Sequence, residues 1–191
     1  MDDLPRDLFW DSCVVTRFLT GEPDVGLAAV RTLIDEALAG KRRIWISTIL
    51  YAEVRPSQLA KSGFRSHTEL IADMEGAFLP VSPNPNIMLQ ASRLRDHAYL
   101  SEHPQRDEKT RVLTVGDAIQ FATCLHIRDN RGCPDIRFHT FDDGKTKNYE
   151  EKAVSLLRYE QYATRLMADA DVAAVCELPR SRPDHDIQRL V

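Results

Sequence analysis

The sequence predicts an α/β protein, a three-layer α/β/α sandwich built on a mainly parallel sheet. Three observations predict it. Short apolar runs (DLFW at 7–10, RIWIS at 43–47, FLPV at 78–81, IRFHT at 136–140) are separated by stretches whose apolar residues recur every three or four positions. That alternation persists along most of the chain, as parallel strands joined by helical crossovers require. The 191 residues also suffice for one domain with a sizeable core. In such a sheet the ligand site is expected at the carboxyl ends of the strands.

Taken in order, DLFW reads as a strand, and apolar positions 14, 15, 18 and 19 then follow at helical spacing until Gly21. Positions 27, 30, 33, 34, 37 and 38 predict an amphipathic helix stopped by Gly40. RIWIS is a second strand. STILYAEV, residues 47–54, predicts a short helix capped by Ser47 or Thr48, broken at Arg55-Pro56 and carrying Glu53. From Ser66 the pattern is helical, FLPVSP is strand-like, and NIMLQASRLRDHAYLSE predicts one long helix over 86–102. The polar run HPQRDEKTR, 103–111, is expected to be an exposed charged insertion. TVGDAIQFATCLHIRDN is a helix with its apolar face at 118, 121, 122 and 125, and DIRFHTF is a strand closed by a DDG turn. The segment 148–179 predicts one or two helices, a helical insertion near 149–170, and a last strand near AAVCEL. Residues 1–179 are thus expected to form a single domain and 180–191 a polar C-terminal tail.

Composition excludes several classes. With 43% hydrophobic and 28% charged residues the chain is ordinary for a globular protein. It has no apolar run near the roughly 20 residues of a membrane span. The opening MDDLPRDLFW lacks the basic and apolar regions of a secretory signal, so a cytoplasmic location is expected. Cys13, Cys124, Cys133 and Cys176 form no CxxC pair, and the histidines form no HxH or HxxxH pair, which argues against zinc sites and a disulfide framework. A formal charge of -4 gives no overall attraction to a polyanion. A nucleic-acid partner would have to be drawn by a local basic patch or by bound cations.

Four carboxylates occupy comparable places in the α/β units. Asp11 ends the first strand, Glu53 follows the second, Asp117 opens the helix after the charged run, and Asp142 follows the strand IRFHT. Singly, each has an ordinary role: Asp11 and Asp117 as helix caps, Glu53 on a solvated face, Asp142 as a turn former. Jointly, they are expected to meet at one sheet edge, which capping does not require. Like charges that close raise one another's pKa, and a hard divalent cation relieves this. Mg²⁺ or Mn²⁺ on carboxylate and water oxygens, contacting a substrate phosphate, makes phosphodiester hydrolysis natural chemistry.

The set DS at 11–12, ISTILYAEV at 46–54, VGDAIQFATCL at 115–125 and HTFDD at 139–143 resembles the PIN domain, in particular ribonuclease toxins of VapC type. The resemblance spans about residues 8–179. Its first acid followed by Ser or Thr matches Asp11 and Ser12. The second matches Glu53 after Thr48, the third Asp117 with Ala118, Ala122 and Thr123, the fourth Thr140 with Asp142. Cys13 stands where the family frequently has Asn, and Lys145 where it has an aromatic residue. Asp142 and Asp143 both remain candidates for the fourth acid. The resemblance implies a PIN-like sheet and a metal-dependent endoribonuclease in which Asp11, Glu53, Asp117 and Asp142 hold Mg²⁺ or Mn²⁺. Ser12 and Thr140 would then orient a carboxylate or a metal-bound water. It also implies an RNA substrate, a cognate antitoxin protein and a homodimer.

Arg17, Arg55, Lys61 and Arg65 are candidate contacts for RNA phosphates, against the plainer reading that they face solvent. His139 reads as packed, and Trp10 with Phe9 as core. Two other functions compete. One is a PIN-like module that binds RNA or protein without cleaving. The other is an aspartate-nucleophile phosphatase of HAD type, suggested by DSCVVT, which fails at Cys13 where its general acid is required.

Overall fold

Every residue of β1 (Asp7–Trp10) is buried, which in a pleated strand requires cover on both faces. A computed structural model of the chain, describing residues 5–21, 24–100, 110–144 and 153–188, supplies that cover. β1 leads into α1 (Ser12–Thr20) and α2 (Val25–Leu38), then β2 (Arg43–Ser47), α3 (Leu50–Glu53), α4 (Pro56–Lys61), α5 (His67–Asp73) and β3 (Phe78–Val81). There follow α6 (Pro85–Arg95), α7 (Val115–Asn130), β4 (Arg137–His139), α8 (Glu160–Ala163), α9 (Ala170–Glu177), β5 (Arg180–Ser181) and α10 (Pro183–Gln188). The five strands form one all-parallel sheet in the order β3-β2-β1-β4-β5.

The pleat of β1 divides the core. Phe9 points to one face, where it stacks on Phe138 at 5.3 Å between ring centroids and packs with buried residues of α6, α7 and α9. Leu8 and Trp10 point to the other, against Val14, Val15, Val30, Leu33, Leu50, Leu59 and Leu70 from α1 to α5. Fully burying each such side chain contributes about 1.5–3 kcal/mol, so both faces are firmly held. Local signals set the helix ends. Asp24, Ser66, Asn84, Thr114 and Asp169 each accept a bond from a first-turn N–H, and Gly21 ends α1 in the left-handed region at φ 66°.

The strand order places the site. From β1 the chain runs outward through β2 to β3, then returns to lay β4 on the opposite side of β1. The direction of winding therefore changes between β1 and β4, and the connections leaving their carboxyl ends part in opposite directions and open a crevice. Asp11 follows β1 directly, and Thr140 to Asp142 follow β4.

Four expectations are corrected. The helix expected over 86–102 stops at Arg95, because the Tyr99 backbone bonds antiparallel to Arg111 and its hydroxyl donates to Leu94 O at 2.6 Å. AAVCEL is helix α9, not strand: the Asp169 carboxylate caps the N–H groups of Asp171 and Val172 and starts a helix there. In the segment expected to be helical near 149–170, residues 149–152 lie outside the described residues, 153–159 are bridge and turn, and only α8 and the 3-10 turn Thr164–Leu166 are helical. The polar tail begins instead with the fifth strand and α10. Asp186, 2% exposed, accepts from Ser181 Oγ at 2.5 Å, His139 Nε2 at 2.8 Å and Arg137 Nη1 at 3.0 Å, which fixes the segment against β4. Of the charged run 103–111, only 110 and 111 are described. Among the described residues no helix is long and apolar enough to cross a membrane.

Candidate functional site

At the carboxyl ends of β1 and β4 lies an open cleft of about 790 Å³. Its lining includes Asp11, Ser12, Cys13 and Arg17 from the start of α1, Glu53 and Arg55 after β2, Thr114 and Asp117 from α7, and Phe141, Asp142 and Asp143 after β4. The four acids singled out in the sequence therefore share one cleft, although they come from four separate stretches of chain.

Asp11 occupies the N-cap position of α1 but makes no side-chain cap. Its Oδ2 instead accepts from Thr140 Oγ1 at 2.8 Å and from Cys13 Sγ at 2.9 Å. The capping explanation of Asp11 is thereby removed. Thr140 supports it as expected, and its hydroxyl also accepts the Asp142 N–H at 3.0 Å, which links the two strand ends. Cys13 is a support the sequence reading missed. Its sulfur accepts the Phe141 N–H at 3.1 Å and lies 3.3 Å from Thr140 Oγ1. Burial and the adjacent Asp11 charge push the Cys13 thiol well above its usual range, so it stays protonated and donates.

Glu53 lies at the end of α3 with its side chain turned toward α1 and α7. Ser12 Oγ donates to Glu53 Oε2, and Gln120 Nε2 donates to the same oxygen at 3.3 Å. Ser12 thus orients a carboxylate, but that of Glu53 and not of its neighbour Asp11. Asp117 is in the first turn of α7. Thr114 Oγ1 accepts its N–H at 3.2 Å and donates to its Oδ2 at 2.6 Å, so it has a structural role at the helix start besides lining the cleft. Asp142 Oδ1 accepts from Gly144 N at 3.0 Å and Oδ2 from Leu156 N at 3.1 Å, anchoring the loop at 153–157. Asp11 Oδ2 and Glu53 Oε2 each accept two such bonds, which leaves acceptor capacity for another partner on the second oxygen of each carboxylate.

Electrostatically the cleft is strained. Burial above all, then the Glu53 and Asp142 charges, push the Asp11 carboxyl up to about 6, against the lowering effect of the Cys13 and Thr140 hydrogen bonds. Burial likewise leads in pushing Asp117 up to about 7, with Asp11, Asp142 and Glu53 adding to it and Thr114 opposing. Asp142 is thus among the charges acting on both Asp11 and Asp117, while Asp143 lines the same cleft. Oxygen donors that disfavour one another's charge suit a hard divalent cation in their chemistry. Among the described residues no three His, Cys, Asp or Glu side chains are gathered closely enough to hold an ion as they stand.

Of the basic candidates, Arg17 and Arg55 line the cleft and Lys61 and Arg65 do not. Arg17 is ion-paired with Asp24, and its guanidinium lies 5.6 Å from the centre of the Phe141 ring. His139 and Trp10 are buried, in line with the plain readings of both. Cys13 and Gln120 were legible only as spacing: Cys13 two residues after an acid, and Gln120 one turn beyond Asp117 on the same helix face.

No protein-family model matches this chain, and no curated protein matches it.

Proposed function

We propose that the protein is a Mg²⁺- or Mn²⁺-dependent endoribonuclease of PIN type, hydrolysing RNA phosphodiester bonds in the cleft at the ends of β1 and β4. One observation carries the reading. Asp11, Glu53, Asp117 and Asp142 line one cleft at the point where the sheet's winding reverses, and burial first, with the acids' mutual charges adding to it, pushes Asp11 and Asp117 upward. A buried acid serving only structure is expected to have a cationic partner instead.

Asp11, Glu53, Asp117 and Asp142 would hold the ion. When bound, it supplies charge neutralisation, activates water and stabilises the phosphate under attack. Thr140 and Cys13 anchor Asp11 through Oδ2, and Ser12 and Gln120 fix Glu53 through Oε2. Burial first, with the neighbouring acids adding to it, pushes the Asp117 carboxyl up to about 7, and holding a divalent ion would require it ionised. Arg55 at the cleft offers positive charge to RNA phosphates in a chain whose net charge is -4, while Arg17 is engaged by Asp24. The motif resemblance supports a toxin restrained by a cognate antitoxin, acting as a homodimer in the cytoplasm.

The test is cleavage of a pool of structured RNAs in Mg²⁺ or Mn²⁺, with EDTA as control and cut sites mapped. Activity lost in EDTA and in both Asp11→Asn and Asp117→Asn supports the reading. Activity that survives both substitutions sinks it. RNA binding without cleavage in any metal replaces it with the non-catalytic module.

A further inference from the structure

Gln120 is 1% exposed in the middle of α7, surrounded by apolar neighbours of the same helix. Among the described residues its Oε1 has no hydrogen-bond partner. An amide with one unpaired buried end is a poor choice for packing alone, because leaving a buried acceptor unmade is costly. Its other end is fully engaged. Nε2 donates to Ser12 Oγ at 2.6 Å and to Glu53 Oε2 at 3.3 Å, and Ser12 donates to that same Glu53 oxygen. Gln120 therefore acts on Glu53 twice, directly and through the Ser12 hydroxyl, whose lone pair it occupies so that the Ser12 proton is aimed at Glu53.

The opposite side of the Glu53 carboxylate meets Gly116, one turn before Gln120 on α7. A methyl group at Gly116 would collide with Glu53 Oε1. α7 thus presents a slot, open at Gly116 and donor-lined at Gln120, that receives a carboxylate from α3. Glu53 needs such a slot. It has a long side chain with rotamer freedom to lose, and it extends from a four-residue helix that fixes its direction weakly.

Resting on the nuclease reading, we propose that Gln120 is the positioning residue of that site, setting where Glu53 stands relative to Asp11 and Asp117 and thereby the affinity for the divalent ion. It touches neither RNA nor the reacting atoms. Supporting partners of ligating carboxylates typically set 10- to 100-fold in metal affinity.

The test compares wild type with Gln120→Met and Gln120→Leu, and with Thr123→Val as a control. Thr123 is buried one turn further along α7, where it bonds Ser47 and Ile119 and not the acids. Mn²⁺ binding is measured by calorimetry without RNA, alongside thermal midpoints and RNA cleavage. The expected result is Mn²⁺ affinity 10- to 100-fold weaker in both Gln120 variants, midpoints equal to or above wild type, and wild-type Mn²⁺ affinity in Thr123→Val. Gln120 variants that bind Mn²⁺ within two-fold of wild type overturn the assignment, as does an equal loss in Thr123→Val, which would mean general loosening of α7. If wild type binds Mn²⁺ without cleaving RNA, the nuclease reading falls and the same isotherms still decide the role of Gln120. If wild type binds no Mn²⁺, both fall.

Discussion

Asp11 and Asp186 are both almost fully buried, at 5% and 2% exposure, and both lie beside the end of β4, yet they are opposite in character. Asp186 is surrounded by partners that welcome its charge. Burial works against it, but the hydrogen bonds of His139 and Ser181 and the charges of His139 and Arg137 hold its carboxyl below the usual range. Asp11 has only a hydroxyl and a thiol as donors, with Glu53 and Asp142 as charged neighbours, and is pushed up to about 6. One carboxylate is compensated within the fold. The other is left in need of a positive charge from outside, and that difference separates a structural acid from a candidate ligand.

The contrast can be broken experimentally, and the largest effect expected is on activity. Asp11→Asn keeps the Thr140 hydrogen bond but removes the charge, and should lower metal-dependent RNA cleavage about 100-fold or more. Steady-state cleavage assays across a metal titration check this. Asp186→Ala removes the hydrogen-bond partner of buried His139 and half-buried Arg137, and should cost about 1–3 kcal/mol in stability by urea unfolding. At pH 8 in EDTA, Asp11→Asn should do the reverse and stabilise the fold by roughly 1–3 kcal/mol, because it removes a charge the metal-free protein buries at a cost.

The pH dependence of metal-free wild type sharpens the same point. Asp11 and Asp117 have folded pKa values of about 6 and about 7, above the unfolded value of 3.8. Between these the native state binds more protons than the unfolded chain, so their contribution declines as pH rises from about 4 to about 7. Asp186, with its pKa lowered, contributes stability above its unfolded pKa that is lost as pH falls through the lower folded value. Melting temperatures in EDTA should therefore fall between pH 5 and pH 8 for wild type, and fall less in the Asp11→Asn, Asp117→Asn double variant. Smallest in stability is Gly116→Ala, whose methyl displaces Glu53 and its bonds to Ser12 and Gln120 and so offsets the gain in helix propensity at the start of α7. Thermal melts should change little, and cleavage assays should show a loss.

The elements most legible in the sequence were those with strong punctuation. α2 is bounded by the Asp24 cap and Gly40, α5 by Ser66, and α7 by Thr114, each a local chemical event that needs no distant partner. The errors came where a single cap or a distant contact decides. AAVCEL has the composition of a buried strand, and only the Asp169 cap turns it into a helix. RSRPDHDIQ reads as polar and loose because its decisive residue, Asp186, is an acid whose burial depends on Arg137 and His139, more than 45 positions away in sequence. The positions of Asp11 and Asp142 were likewise readable from strand ends, and those of Glu53 and Asp117 from the helices that carry them. Their supports were not: Cys13 looked like a departure, and Gln120 like one more helix residue.

By itself the sequence determined that strands and helices alternate, that most of the periodic apolar residues face inward, though not Leu38, which is exposed, and that an acid follows the first strand and another the fourth. Periodicity and caps are short-range, and side-chain chemistry enforces them locally. Tertiary structure alone decided that β4 lies beside β1, which brings Thr140 to Asp11 across 129 positions and Gln120 to Ser12 across 108. It also decided which buried acid meets a cation within the fold and which meets only other acids. Those outcomes depend on burial and on charges from distant segments, and no local pattern along the chain encodes them.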